Sequence, residues 1–177
     1  MTVLRSCCQA LTVCVVGALL SSCGWRLQGA ERLPSELSAI RIETVDAYSD
    51  FYRELRGRLQ AAGAAVDAGN SASQAIMQVH RDETGQRVLS VSARNRPEEY
   101  EVYYRVEYSV SVAGAEIVQR HELQLTASYS YDSRLALAKQ HEQAELQLAL
   151  ARELAAVILR RLDAMRREAN RTAQTTS

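Results

Sequence analysis

The chain has 177 residues, with 21 basic and 21 acidic side chains and a formal charge of zero. That balance argues against a nucleic-acid binder with a broad basic surface, because neutralising phosphates needs an excess of Lys and Arg. With 47% apolar and 24% charged residues the chain can bury a core, the length suits one domain, and bulk disorder is excluded.

The chain starts with an address. All four cysteines, Cys7, Cys8, Cys14 and Cys23, lie in the first 23 residues, so the rest can hold neither a disulfide framework nor a cysteine metal site. Arg5 is the only charged side chain in the first 22 residues, and residues 7–20 are apolar except for Gln9 and Thr12. This fits a secretory apolar region of roughly 7–15 residues and falls short of the roughly 20 that a spanning helix needs. The run ends in Leu20-Ser21-Ser22-Cys23, which resembles the bacterial lipobox. The small residues suit a narrow protease cleft, and the Cys thiol accepts a diacylglyceryl group before cleavage. Residues 1–22 are therefore expected to be a lipoprotein signal peptide and Cys23 the lipidated N-terminus. Losing Arg5 from the 21 basic residues leaves 20 against 21 acidic ones, a formal −1. Each buried CH₂ of the acyl chains contributes ~0.8 kcal/mol to anchoring. Gly24, not Asp, follows the Cys, which in the logic of bacterial lipoproteins points to the outer membrane.

Residues 38–45 alternate weakly as a short strand. Ser49 is a plausible N-cap for a helix whose buried face is Phe51, Leu55 and Leu59, and Gly63 is its natural stop. Val66 starts a short extended piece, and residues 67–73 read as a loop. Residues 75–80 and 88–93 read as two strands around a turn-rich tip at 82–86, and Pro97 breaks the next pairing. From Tyr100 to Val112 every even position is apolar or aromatic, and the odd positions from Ile117 to Tyr131 lean the same way. A type II′ turn at Gly114-Ala115 pairs Ala113 with Glu116, and sets Val106 against Leu123, Tyr104 against Leu125 and Val102 against Ala127. It also sets Glu107 against Glu122, a like pair that Arg105 and Arg120 soften diagonally. A long helix over residues 135–168 ends in Arg160, Arg161, Arg166 and Arg167, a solvated, dipole-matched terminus. Residues 169–177 read as a polar, disordered tail. The fold class is α+β, helices covering one face of a sheet.

Catalytic constellations are missing. His80 and His121 fall in strands without ligand-spaced partners, and His141-Glu142 lacks the second His of a helical zinc motif, because position 145 is Glu. There is no Ser elbow, phosphate-binding Gly loop or Cys nucleophile, so neither an enzyme nor a cofactor is expected. The basic residues say more: twenty are Arg, and Lys139 is the only Lys. Arg94-Asn95-Arg96 sits beside the Pro97 turn and Lys139 just after the last strand, so the sheet can bring two basic elements together. Pairing of Arg94 and Lys139 with surface acids such as Glu98 and Glu142 explains the same residues.

Two motifs carry a resemblance. Cys23-Gly24-Trp25-Arg26-Leu27 resembles the opening of the mature LPS-assembly lipoproteins of the LptE (RlpB) family, and Leu135-Ala-Leu-Ala-Lys139 followed by Gln143 resembles that family's entry to its last helix. The resemblance runs over about residues 23–165. It implies two helices on a mostly antiparallel four-stranded sheet, placed here at residues 23–168. It also implies a non-enzymatic outer-membrane lipoprotein that plugs the LptD β-barrel, helps it assemble and binds lipopolysaccharide on its way to the outer leaflet. By motif position the lipopolysaccharide-binding residues are Arg94 and Lys139, with Arg96 as a third member. Ala93 and Arg96 depart from the family's aromatic and Gly-like residues. The alternative is an auxiliary lipoprotein of an ABC-type lipid transporter.

Overall fold

A computed structural model describes residues 33–67 and 75–175. The expected signal peptide, Cys23, the Cys-Gly-Trp-Arg-Leu motif and residues 68–73 of the expected loop lie outside them. In chain order the elements are β1 (Ala39–Thr44), α1 (Asp50–Ala61), β2 (Ala65–Val66), β3 (Ala75–Val91), β4 (Pro97–Val112), β5 (Ala115–Ser130) and α2 (Ala136–Thr175). The sheet order is β2-β1-β3-β4-β5. β1 runs parallel to β2 and β3, while β3, β4 and β5 are antiparallel.

The class is the expected α+β, with both helices packed on one sheet face, but the sheet has five strands where four mostly antiparallel ones are expected, and it is mixed. The extra strand follows from how α1 ends. Gly63 adopts φ 92°, a left-handed geometry that turns the chain back toward β1. Ala65 N–H then donates to Ser38 O at 2.8 Å and Asp67 N–H to Ile40 O at 3.0 Å. A strand-helix-strand crossover of this kind yields parallel pairing.

The two strands expected at 75–80 and 88–93 are one strand. Residues 82–86, read as a turn from their composition, pair with Val102–Val106. Gly85 serves close approach here: a Cβ on it would lie 2.5 Å from the Tyr103 hydroxyl oxygen. His80 is the extra residue between the Val79 and Arg81 pairs, a bulge that switches which side chains face the helices. Before it, Ala75, Met77 and Val79 are buried. After it, Asp82 and Gln86 take the helix side, which hides the alternation from a sequence reader. Pro97, expected to break the pairing, is instead the first residue of β4, a position where its missing N–H is tolerated.

The β4–β5 register is as expected over most of its length, including Val106↔Leu123, Tyr104↔Leu125, Val102↔Ala127 and Glu107↔Glu122. Its turn is not. Ala113 and Gly114 occupy it, both with positive φ (50° and 83°), the type I′ pattern in place of II′, and Val112 pairs with Ala115. Two successive irregularities beside Val110, each of one residue, absorb the difference. Val118 is consequently buried, and Ile117, expected inside, is 38% exposed.

On the helix-free face, Arg120 grips Glu107 with two bonds of 2.6 and 2.8 Å, and Glu122 meets Arg81 at 3.2 Å and Arg105 at 3.7 Å. The like pair is thus neutralised by the two expected arginines and by Arg81, which the continuous β3 supplies. α2 continues past Glu168 to Thr175, so residues 169–175 extend the helix where a tail was expected. The Arg run is therefore not a free terminus. Arg160 pairs with Glu153 at 2.7 Å, and Arg166 and Arg167 pair with Asp163 at 2.8 and 2.6 Å.

One polar network fixes α1 on the sheet. Ser49 caps the helix by accepting from Tyr52 N–H at 3.0 Å, and its hydroxyl donates to Asp82 Oδ2 at 2.5 Å. Tyr104 Oη donates to Asp82 Oδ1 at 2.8 Å. Burial pushes the Asp82 carboxyl above its ordinary value, against these two bonds, which favour the charge. The folded state therefore keeps this proton to higher pH than the unfolded chain. Its contribution to stability is greatest below the unfolded value, about 3.9, and falls as pH rises through the folded one.

Two outcomes are expected. In urea melts, the stability of Asp82→Asn relative to wild type shifts in favour of Asn as pH rises from about 3.5 to 7; a pH-independent difference counts against the network. Ala113→Asn, which suits a left-handed residue followed by Gly, stabilises by about 1 kcal/mol, or about 2–4 °C in Tm by calorimetry.

Candidate functional site

The sheet narrows where β1 stops. The last β1–β3 pair is Thr44↔Val79, so the remainder of β3 continues with β4 and β5 alone. This three-stranded extension meets the start of α2, and the expected site residues gather at that end.

Arg94 and Arg96 lie in the β3–β4 turn. Ser92 organises it: Ser92 N–H donates to Arg96 O at 2.8 Å, Asn95 N–H to Ser92 O at 2.9 Å, and Arg96 N–H to Ser92 Oγ at 3.1 Å. The left-handed residue is Asn95 (φ 57°), which tolerates that geometry. Arg96, standing where the resemblance leads one to expect a Gly-like residue, is thereby spared it. Both Arg94 and Arg96 are exposed. Neither guanidinium has an ion pair among the described residues, so the alternative pairing of Arg94 with Glu98 does not form.

Lys139 is different. Its side chain is only 16% exposed and pairs with Glu142 at 2.7 Å, as the surface-acid alternative anticipates. Its Nζ also stands 6.0 Å from the Tyr129 ring centroid, at the outer range of a cation–π contact. The ammonium sits in the first turn of α2, where the helix dipole disfavours a cation. The carboxylate and the ring offset that.

A cavity of about 170 Å³ opens beside Lys139, walled by Tyr100, Tyr129 and Tyr131 from β4 and the end of β5, and by Gln140 and Gln143 from α2. Tyr100 stacks on Tyr129 with centroids 5.8 Å apart and meets Tyr131 edge-on at 5.2 Å. Tyr129 Oη donates to Gln86 Oε1 at 2.9 Å. Burial, then Tyr100 and Glu142, pushes the Tyr129 hydroxyl up. At the entry to α2, hydrogen bonds from Arg134 hold the Asp132 carboxyl down at about 2. Sequence reasoning finds Lys139 and Glu142, but the tyrosine wall emerges only from the Tyr100↔Tyr129 register.

Arg94 and Arg96 do not line this cavity. Val91 pairs with Pro97 and Val88 with Tyr100, so the turn lies about 10 Å further along the strands at about 3.3 Å per residue. The structure thus brings the three cations to one end of the sheet without bringing them into contact. Exposed Val88, Leu89, Val91, Leu135 and Leu137 belong to the same end. A larger cavity of about 530 Å³ lies at the other end, between residues 34–36, Val112, Ile117 and Met165. It is the roomier of the two, but it gathers no comparable set of cation, rings and amides. His80 and His121 are accounted for by Ser109, 2.9 Å from His80 Nε2, and by the Tyr108 ring. Among the described residues no helix is long and apolar enough to cross a membrane.

A family model described as LptE, lipopolysaccharide-assembly, matches residues 37–162. The chain is similar to uncharacterized lipoprotein B from Nitrosomonas europaea, known from a solution NMR structure, at 27% identity and a TM-score of 0.67 over 80% of this chain and 92% of that one. The crystal structure of rare lipoprotein B from Shewanella oneidensis shares its fold at 23% identity and a TM-score of 0.64, over 75% and 98% of the two chains. A minor lipoprotein from Acinetobacter baumannii does so at 20% identity and a TM-score of 0.60, over 73% and 93%. No curated protein matches.

Because Lys139 works against the helix dipole and belongs to no core cluster, removing its charge should cost little. Lys139→Gln is expected to change stability by no more than about 0.5 kcal/mol in urea denaturation. A loss above about 2 kcal/mol makes the lysine a structural residue.

Proposed function

The chain belongs to the LptE lipopolysaccharide-assembly family, and from that premise we propose that it is an outer-membrane lipoprotein, anchored through acyl chains on Cys23, that complexes with the LptD β-barrel. In this reading it plugs the barrel, assists its assembly and binds lipopolysaccharide during delivery to the outer leaflet. It performs no catalysis and uses no cofactor. Residues 1–22 are its signal peptide.

The observation that carries the lipopolysaccharide part is the grouping of Arg94, Arg96 and Lys139 at one end of the sheet, beside exposed aliphatic side chains. Lipopolysaccharide joins anionic phosphates to acyl chains. Arg binds phosphate by paired, charge-assisted hydrogen bonds and Lys as a point charge, while Leu135, Leu137 and Val91 supply apolar surface beside them.

The plug part rests on the helix-free face. There Glu101, Tyr103, Arg105, Gln124, Thr126 and Ser128 alternate outward, and the acids are paired with Arg81, Arg87, Arg105 and Arg120. Such a face, rich in hydrogen-bonding groups and nearly neutral, suits the polar lumen of an outer-membrane barrel. The family match favours this reading over an auxiliary lipoprotein of an ABC-type lipid transporter.

The Arg94→Glu, Lys139→Glu double variant is expected to lose at least about tenfold in capture of labelled lipopolysaccharide while still co-purifying with the barrel and melting within a few degrees of wild type. Undiminished capture removes these residues from the binding site. Co-purification of the wild type with an inner-membrane ATPase in place of a barrel overturns the assignment.

A further inference from the structure

We propose that the cavity beside Lys139 is a subsite for a single phosphorylated sugar unit, and that Glu142 is a built-in anion which the incoming phosphate displaces. The inference rests on the lipopolysaccharide-binding reading and specifies which part of that ligand the cavity takes and what it competes with.

The chemistry of the walls selects the ligand. Tyr131 presents a partly exposed aromatic ring at the cavity, of a kind that packs against the C–H face of a pyranose. Tyr129 is buried, its ring stacked on Tyr100 and facing Lys139 Nζ and its hydroxyl committed to Gln86 at 2.9 Å, so it backs the subsite and holds the ammonium in place. Gln140 and Gln143 line the opposite side, and neither side-chain amide has a hydrogen bond among the described residues. Each amide carries two N–H donors and one accepting oxygen, which matches the mixed donor and acceptor character of sugar hydroxyls. An acyl chain would strand these amides without partners, at a cost of about 1–3 kcal/mol for each group desolvated. A bare phosphate would engage Lys139 and leave the Tyr131 ring and the amides unused.

Glu142 supplies the regulation. Its carboxylate lies 2.7 Å from Lys139 Nζ and is its partner in this structure. Lys139 is three-donor, with no acceptor of its own, and at 16% exposure it has little freedom to serve two anions in different directions. A phosphate that reaches the ammonium must therefore exchange with the carboxylate. The exchange lowers affinity for any anion too poor in other contacts to compensate, and so favours a ligand whose sugar also meets Tyr131 and the glutamines.

Because Lys139 is the only lysine in the chain, ¹⁵N-lysine labelling of the full acylated protein in detergent micelles gives one side-chain ammonium signal to titrate. Glucosamine 1-phosphate, glucosamine and inorganic phosphate are the three probes. Glucosamine 1-phosphate is expected to shift the signal at lower concentration than either of the others. Glu142→Gln is expected to tighten glucosamine 1-phosphate about two- to fivefold, the scale of one relieved ion pair. Gln143→Ala is expected to weaken it toward the level of inorganic phosphate while leaving phosphate itself unchanged.

Equal binding of inorganic phosphate and glucosamine 1-phosphate overturns the sugar subsite, and unchanged binding in Glu142→Gln overturns the competition. Both residues are on the surface of α2, and matching melting temperatures verify that the variants are folded. Capture of whole lipopolysaccharide by the wild type separates the two levels. If capture persists while these variants behave as wild type, the inference fails and the functional reading stands. If wild type captures none, the functional reading fails with it.

Discussion

The even positions of β4 form a single inward row from Tyr100 to Val110, and most of the molecule is organised by what that row meets. Val102, Val106, Tyr108 and Val110 are buried in the core under the helices. Tyr104 belongs to the same row but spends its hydroxyl on Asp82, which in turn holds the N-cap of α1. Tyr100, the last of the row, lies past the end of β1 and stands against Tyr129 and Tyr131 in the wall of the Lys139 cavity. One strand thus sets the core, the seating of a helix and the candidate site. Its alternation admits no slip, because a one-residue shift would exchange all of these residues with Glu101, Tyr103, Arg105 and Glu107.

This explains which parts were legible in the sequence. β4 and most of β5 announce themselves because a strict period of two survives from Tyr100 to Val112 and, on the partner, from His121 to Tyr129. α1 is legible through its cap, its three-residue apolar face and Gly63. β3 was not, for two physical reasons. The bulge at His80 shifts the inward set by one residue, and the inward residues after it are polar because they serve other elements: Asp82 the α1 cap and Gln86 the Tyr129 hydroxyl. Long-range pairing with β4 overrode a local composition that favours a turn. The parallel pairing of β1 with β3 left no local mark at all, since it joins residues from either side of α1 and β2. The same logic applies to the site: Lys139 and Glu142 are readable at helical spacing, whereas the rings around them come from two strands and need the register first.

The two faces of the sheet divide the labour. The helix side carries nearly all the apolar burial, and the free side carries charge in compensated form: Arg120 on Glu107, Arg81 and Arg105 around Glu122, Arg87 on Glu101. Exposed pairs of this kind contribute little to stability, typically no more than about 1 kcal/mol each. Their consequence is a face with many hydrogen-bonding groups, little net charge and few apolar side chains. Such a surface stays soluble when alone, and within the proposed barrel it meets a polar wall without stranding a charge. The near-zero net charge of the chain is distributed in the same way. Most described cations are neutralised where they stand, while Arg94 and Arg96, without an ion pair among the described residues, share one end of the sheet with the partly sheltered Lys139.

The position of the site also separates binding from folding. Core burial is concentrated where five strands and two helices overlap, from Leu37 and Ile40 through Leu154 and Leu162. The cavity lies beyond that overlap, on the three-stranded extension. There a lysine stands against its helix dipole, two glutamine amides have no hydrogen-bond partner among the described residues, and aliphatic side chains face solvent, Leu137 at 70% exposure. Each of these is a small local cost that gives nothing back to the isolated fold. Natural sequences are otherwise consistent across levels, so a cluster of such costs in one place fits the proposed binding site. The extension can carry them because the core holding the chain together is elsewhere, and because Glu142 keeps the ammonium satisfied.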